Sequence, residues 1–264
     1  MRQLALLTIR AAIRDRVLQA VLGVGFVMLL LVPVLSSFSM RQVQESSIAL
    51  ALSASSLILQ IVAIQFGSAA VFRDVDRRYT TSVLGLPLSR GAYLLGKVYG
   101  FSIVLGICSI LLGVCSSLIV SFAASTYPSA VPIPWVTLFL AFFSDYLKSI
   151  FLATIALFFS SLSTSFSLPF FCTLALWMTG SSIQDAFEYV SGPYSQTIHP
   201  LIRGVAQGLY YLLPNFAGLD FHLQAIYALP VNYEGFFFSA TYSICYISVV
   251  CFLMIHLFSR RELP

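Results

Sequence analysis

Along this chain the informative polar positions are the few charged ones, because they bound long apolar intervals. Uncharged runs of 24 residues separate Arg16 from Arg41, 27 separate Glu45 from Arg73, 47 separate Lys97 from Asp145, and 36 separate Lys148 from Asp185; a last run of 25 extends from Gly235 to Ser259. A transmembrane helix needs about 20 mostly apolar residues, so every interval can hold at least one. Pro128, Pro132 and Pro134 divide the longest interval, because proline ends helices. The polar turn Ser160, Ser161, Leu162, Ser163, Thr164 and Ser165 divides the next. The pattern predicts six helices, near 17–38, 47–72, 98–123, 137–159, 166–183 and 236–258. The first is too long for the apolar core of a signal peptide and lacks a small-x-small cleavage site before Arg41, so it reads as a retained span.

Composition moves the whole picture into lipid. Apolar residues make up 59% of the 264 positions, charged residues 9%, and mean hydropathy is +0.92, too little polar surface to cover a soluble fold. The net charge of +4 is small and dispersed, which excludes the basic stripe of a nucleic-acid binder. Placement carries more than the sum. Lys and Arg concentrate on alternate sides of the predicted spans. Eleven lie in the N-terminal segment, the loop between the second and third spans, and the tail, while the opposite side has Arg41 and Arg203. Short basic loops stay inside, so both termini are expected in the cytoplasm of a multi-pass protein of the cell's inner (plasma) membrane.

The first 16 residues alternate basic positions with Leu4, Leu7, Ile9, Ala12 and Ile13. This is the pattern of an interfacial helix and also of an ordinary positively flanked start. Residues 184–234 form a long outer segment. They are too apolar for a water-exposed loop and too interrupted by Pro214 and Asn215 to span, so two short re-entrant helices are expected there. Cys108, Cys115, Cys172, Cys245 and Cys251 all sit in apolar runs and read as packing residues, with no metal site and no disulfide framework.

Several chemistries fail on the residues. The chain has no glycine-rich phosphate loop followed by Lys and Ser or Thr, so any ATP must be handled by another subunit. Gly180, Ser181 and Ser182 with His199 offer a weak intramembrane hydrolase reading; a Ser-Ser at a helix end is more often a cap. His199, His222 and His256 do not assemble a haem or quinone ligand set.

Two features stand out. Asp145 and Lys148 lie three apart on one helix face inside the predicted fourth span, where each charge costs about 2.5–3.5 kcal/mol unless paired. They form either a mutually neutralising intramembrane pair or a pair at the outer boundary. The second feature is the inner loop from Arg73 to Lys97, which opens with Arg73, Asp74, Asp76, Arg77 and Arg78, continues through Tyr79, Thr80 and Val83, and turns at Pro87. A short helix parallel to the membrane there is a feature that a soluble partner could grip, with the charges setting register and Tyr79 and Val83 as apolar anchors.

The residues from Leu86 to Arg90, with Gly96 and Lys97, resemble the loop of membrane-spanning permease subunits of the type-2 ATP-binding-cassette (ABC-2) exporter family. Ala156 to Thr164 resemble that family's fourth-span exit, Leu212 to Phe216 its outer Leu-Pro-Asn element, and Phe258 to Glu262 its closing Phe-x-Arg-Arg-acid. One departure lies in the loop, where members commonly carry Glu ahead of Gly-Thr and this chain has Asp74 and Asp76 ahead of Tyr79, Thr80 and Thr81. The resemblance implies a single transmembrane domain over 1–264, an all-α polytopic fold of six spans, and a second permease copy in a homodimer. It also implies a cytoplasmic ABC ATPase partner that uses ATP and Mg, with no cofactor on this chain and no enzymatic activity of its own. Asp74, Asp76, Arg77, Arg78, Tyr79, Thr80 and Val83 would couple to that ATPase. The sparse polar groups of the spans point to an amphipathic or lipid-like substrate. A non-transporting scaffold subunit of a membrane complex is the alternative reading.

Overall fold

A computed structural model describes residues 2–39, 42–76, 90–127, 132–163, 165–192 and 199–259. Those residues are all-α, with no strand among them. Nine helices follow in order: α1 (Arg2–Ile13), α2 (Arg16–Ser37), α3 (Val43–Asp76), α4 (Arg90–Thr126), α5 (Trp135–Leu162), α6 (Ser167–Ser191), α7 (Pro200–Leu212), α8 (His222–Ile226) and α9 (Tyr233–Ser259). A 3-10 turn at Ala217–Leu219 sits between α7 and α8.

Each apolar run becomes a helix because lipid offers no partner to a backbone N–H or C=O, and a helix satisfies these groups within one segment. Polar residues mark where the helices start. Asp15 separates α1 from α2 and caps the latter, accepting a hydrogen bond from the Val17 N–H at 2.9 Å. His199 does the same for α7, accepting from Leu201 N–H at 3.3 Å, with Pro200 in the first turn.

Five helices are long and apolar enough to cross a membrane: α2, α3, α4, α5 and α9. The sixth interval also forms a helix, α6, of 25 residues. Its second half carries Ser181, Ser182, Gln184, Asp185 and Glu188, which dilute its hydropathy below that of the other five. The expected loop boundaries shift as well. Helix α3 continues through Arg73 to Asp76, and α4 begins at Arg90 rather than near 98. Charge limits how far a helix stays in lipid but does not end it, and no proline or glycine stands between Arg73 and Asp76. At 34 residues α3 is about 51 Å long, well beyond the ~30 Å hydrocarbon thickness, so part of it must project into water.

The bundle is organised around α3 and α5. Of their apolar windows, 72% and 61% are buried, against 22% for α2 and for α9. The outer helices present Phe26, Leu30 and Val34 of α2 and Phe238, Ile244 and Phe252 of α9 on the surface, as a lipid-facing layer does. Helix α1 lies against α4, where Gly100 leaves space for Thr8.

Candidate functional site

The C-terminal halves of α3 and α5 pack closely enough that Gly67 has no room for a methyl group, which would overlap Ala156 and the carbonyl of Ala153. One turn on, Ser160 Oγ donates to Ser68 O at 2.9 Å and accepts from Val71 N–H at 3.2 Å, so an α5 hydroxyl grips the α3 backbone. From α4, Lys97 Nζ donates to Ala70 O and lies 5.3 Å from the Tyr93 ring centroid. Three helices are thus tied together at the end of α3 that leads toward residues 77–89. Asp74 and Asp76 occupy the last turn and a half of α3; Arg77, Arg78, Tyr79, Thr80 and Val83 lie outside the described residues.

Farther along the same pair of helices is a buried polar cluster. Asp145 of α5 is 2% exposed and Lys148 is 5% exposed. Ser56 Oγ of α3 donates to Asp145 Oδ1 at 2.9 Å, and Gln60 Nε2 donates to Ser56 Oγ at 2.9 Å. The second carboxylate oxygen faces the segment between α6 and α9, where His222 Nε2 lies 3.1 Å from Asp145 Oδ2. On the other side of the ring, His222 Nδ1 is 3.7 Å from Asp220 Oδ1, which also accepts from the His222 N–H at 3.1 Å. Asp220 is half exposed and Asp145 is buried, so a line of titratable groups leads from the surface into the bundle.

Both members of the expected intramembrane pair are therefore inside the bundle on one face of α5. The carboxylate takes its contacts from Ser56 and His222, and Lys148 has no hydrogen bond or ion pair among the described residues. His222 lies outside the spanning helices. Burial works against its charged form, but the hydrogen bond and charge of Asp145, joined by Asp220, outweigh burial and the opposing charge of Lys148. The net effect holds its pKa above the usual value.

His222 is the residue that sequence reasoning passed over. Helical spacing points Asp145 to i+3 and i+4 neighbours, whereas His222 is 77 positions away. The available signal was a histidine beside Asp220 in an otherwise apolar stretch, opposite a buried carboxylate in need of a donor. The segment between α6 and α9 is held by apolar contacts as well. Phe216, fully buried, meets Phe151 edge-on at 5.0 Å between centroids, and its N–H donates to Gly180 O at 3.0 Å. Asn215 Nδ2 donates to Gln184 Oε1 at 2.8 Å.

The residues of the hydrolase reading are occupied locally: Ser181 Oγ donates to Trp177 O at 2.8 Å, and His199 caps α7. Among the described residues no three His, Cys, Asp or Glu side chains converge as a metal site would require. An apolar crevice of about 240 Å³ lies between α5, α6 and α9, with Phe159, Leu176, Leu213, Tyr246 and Val250 in its walls. In comparisons with known proteins, no family model matches the chain and no curated protein matches it significantly.

Proposed function

We propose that this chain is the membrane-spanning permease subunit of an ATP-driven exporter of the type-2 ATP-binding-cassette kind. Its energy would come from a separate cytoplasmic ATPase that binds ATP and Mg. The observation that carries this reading is the attachment of the inner loop to the most buried helix. Residues 77–89 follow directly from α3 and lead directly into α4. The ends of these helices are fastened to each other through Lys97 and Ala70, and α3 is fastened to α5 through Gly67, Ser68 and Ser160. A push on that loop would be delivered to the centre of the bundle, which is what a permease without a nucleotide site of its own requires.

The finer topology belongs to the same proposal. Six spans, with α6 as the fifth, put both termini in the cytoplasm of the inner membrane, and α1 lies at the inner interface. The outer segment is re-entrant: Phe216 meets Phe151, which lies about 24 Å along α5 from Trp135 and so well below the outer end of that helix. Two copies form the transport unit. The apolar crevice suits a substrate with an acyl chain.

Coupling is tested by changing Tyr79→Ala together with Asp76→Arg and purifying the protein with the ATPase that co-purifies with the unchanged chain. The expected result is a permease that inserts and dimerises but releases the ATPase and loses substrate-stimulated hydrolysis. If the double variant keeps its ATPase and transports normally, the loop is not the coupling element.

A further inference from the structure

The contacts between Asp145 and the outer segment point to a function that neither the loop nor the ATPase reading supplies. Asp145 is nearly sealed from solvent, and among the described residues the one ionisable side chain within ion-pair distance of it is His222, on a different part of the chain. Lys148 lies one turn along α5 on the same face, close enough in helical geometry to reach the same carboxylate, yet among the described residues it makes no ion pair. Two cations are therefore available to one carboxylate, and only one of them loses its charge near neutral pH.

We propose that His222 and Asp145 form a proton-controlled latch. The imidazolium holds the outer segment against α3 and α5, and loss of its proton hands the carboxylate to Lys148 and loosens the segment. The charged groups that face His222 are Asp145 and Lys148 from α5 and Asp220 from its own turn. From α3 the uncharged Ser56 and Gln60 reach the other oxygen of the Asp145 carboxylate, and from α9 Phe236 packs at 5.5 Å on Phe221, the residue before His222. The proton is exchanged on the Nδ1 side of the ring, next to half-exposed Asp220, and its loss leaves Nε2–H as a neutral donor, a weaker partner for the Asp145 carboxylate than the Lys148 ammonium. The sign follows from the pairing. A carboxylate partner favours the charged imidazole, so the latch is closed at low pH and opens as pH rises through the His222 pKa in the closed state. Lys148 acts in the opposite direction, repelling the imidazolium and competing for the same oxygen atoms. Nothing else holds segment 216–226 by charge among the described residues; the burial of Phe216 and Phe221 and the hydrogen bond from Phe216 N–H to Gly180 O keep it in place, so opening the latch loosens the segment without expelling it.

The test uses the full chain in lipid nanodiscs, with amide hydrogen exchange of 216–226 followed between about pH 5.5 and about pH 8.5 and corrected for intrinsic exchange. In parallel, the histidine titrations are read by nitrogen-15 labelling; with three histidines in the chain, His222→Gln assigns the signal. Wild type should lose about tenfold in protection across the range. Asp145→Asn should lower the His222 midpoint and abolish the pH-dependent step, whereas Lys148→Met should raise the midpoint and move the step to higher pH. A wild-type segment with the same protection at both ends of the range overturns the latch. So does a His222 midpoint that stays put in Lys148→Met, a variant that retains the Asp145–His222 contact and serves as the deciding arm if Asp145→Asn does not assemble.

Discussion

Gly67 of α3 and Ala156 of α5 touch so closely that the two helix backbones meet with only one methyl group between them. Small residues at this position let membrane helices approach to where packing and backbone polar contacts accumulate, and the Ser160 bridge to Ser68 and Val71 depends on that approach. Gly67→Val should therefore force the pair apart and destabilise the bundle by about 1–3 kcal/mol, with Gly67→Ala intermediate. Thermal unfolding of the detergent-purified protein reads this; an unchanged midpoint for Gly67→Val would mean that α3 and α5 do not pack as described.

The polar cluster predicts an ordering of effects. Ser56→Ala removes two hydrogen bonds, the one donated to Asp145 and the one accepted from Gln60, and leaves Asp145 paired with His222, so a loss of about 1–3 kcal/mol is expected. Asp145→Leu leaves Lys148 buried without a counter-charge, which should cost about 3–5 kcal/mol. Adding Lys148→Met to Asp145→Leu should recover part of that loss. Purely additive single and double variants in the same unfolding assay would show that the two charges do not sense each other.

Phe216 anchors the outer segment. Replacing it with Ala empties a fully buried aromatic site against Phe151 and Gly180 and should cost about 3–5 kcal/mol. Limited proteolysis between α7 and α9 should accelerate in this variant more than elsewhere in the chain. Equal cleavage rates in variant and wild type would remove Phe216 from that role.

Orientation is checked by membrane-impermeant thiol labelling of intact cells, on a background with the five native cysteines replaced. Ser191→Cys and Asn232→Cys should react from outside and Ser89→Cys should not. Labelling at position 89 would reverse the proposed topology.

The apolar intervals alone located the helices, because lipid requires each crossing segment to satisfy its own backbone, and that requirement is local in sequence. For the same reason the ends of α4 at Thr126 and of α5 at Leu162 were legible in the prolines and the polar turn that follow them. Helix ends were less so. A charge such as Arg73 marks where lipid stops, while the helix itself runs on to Asp76 because nothing breaks it. The partner of Asp145 was beyond sequence reasoning altogether. Spacing on one helix offered Lys148, but two side chains on the same helix face share a neighbourhood without necessarily sharing a contact. Which group meets the carboxylate depends on how the segment after α7 folds back between α3 and α5, a distance of 77 residues along the chain that only tertiary packing closes.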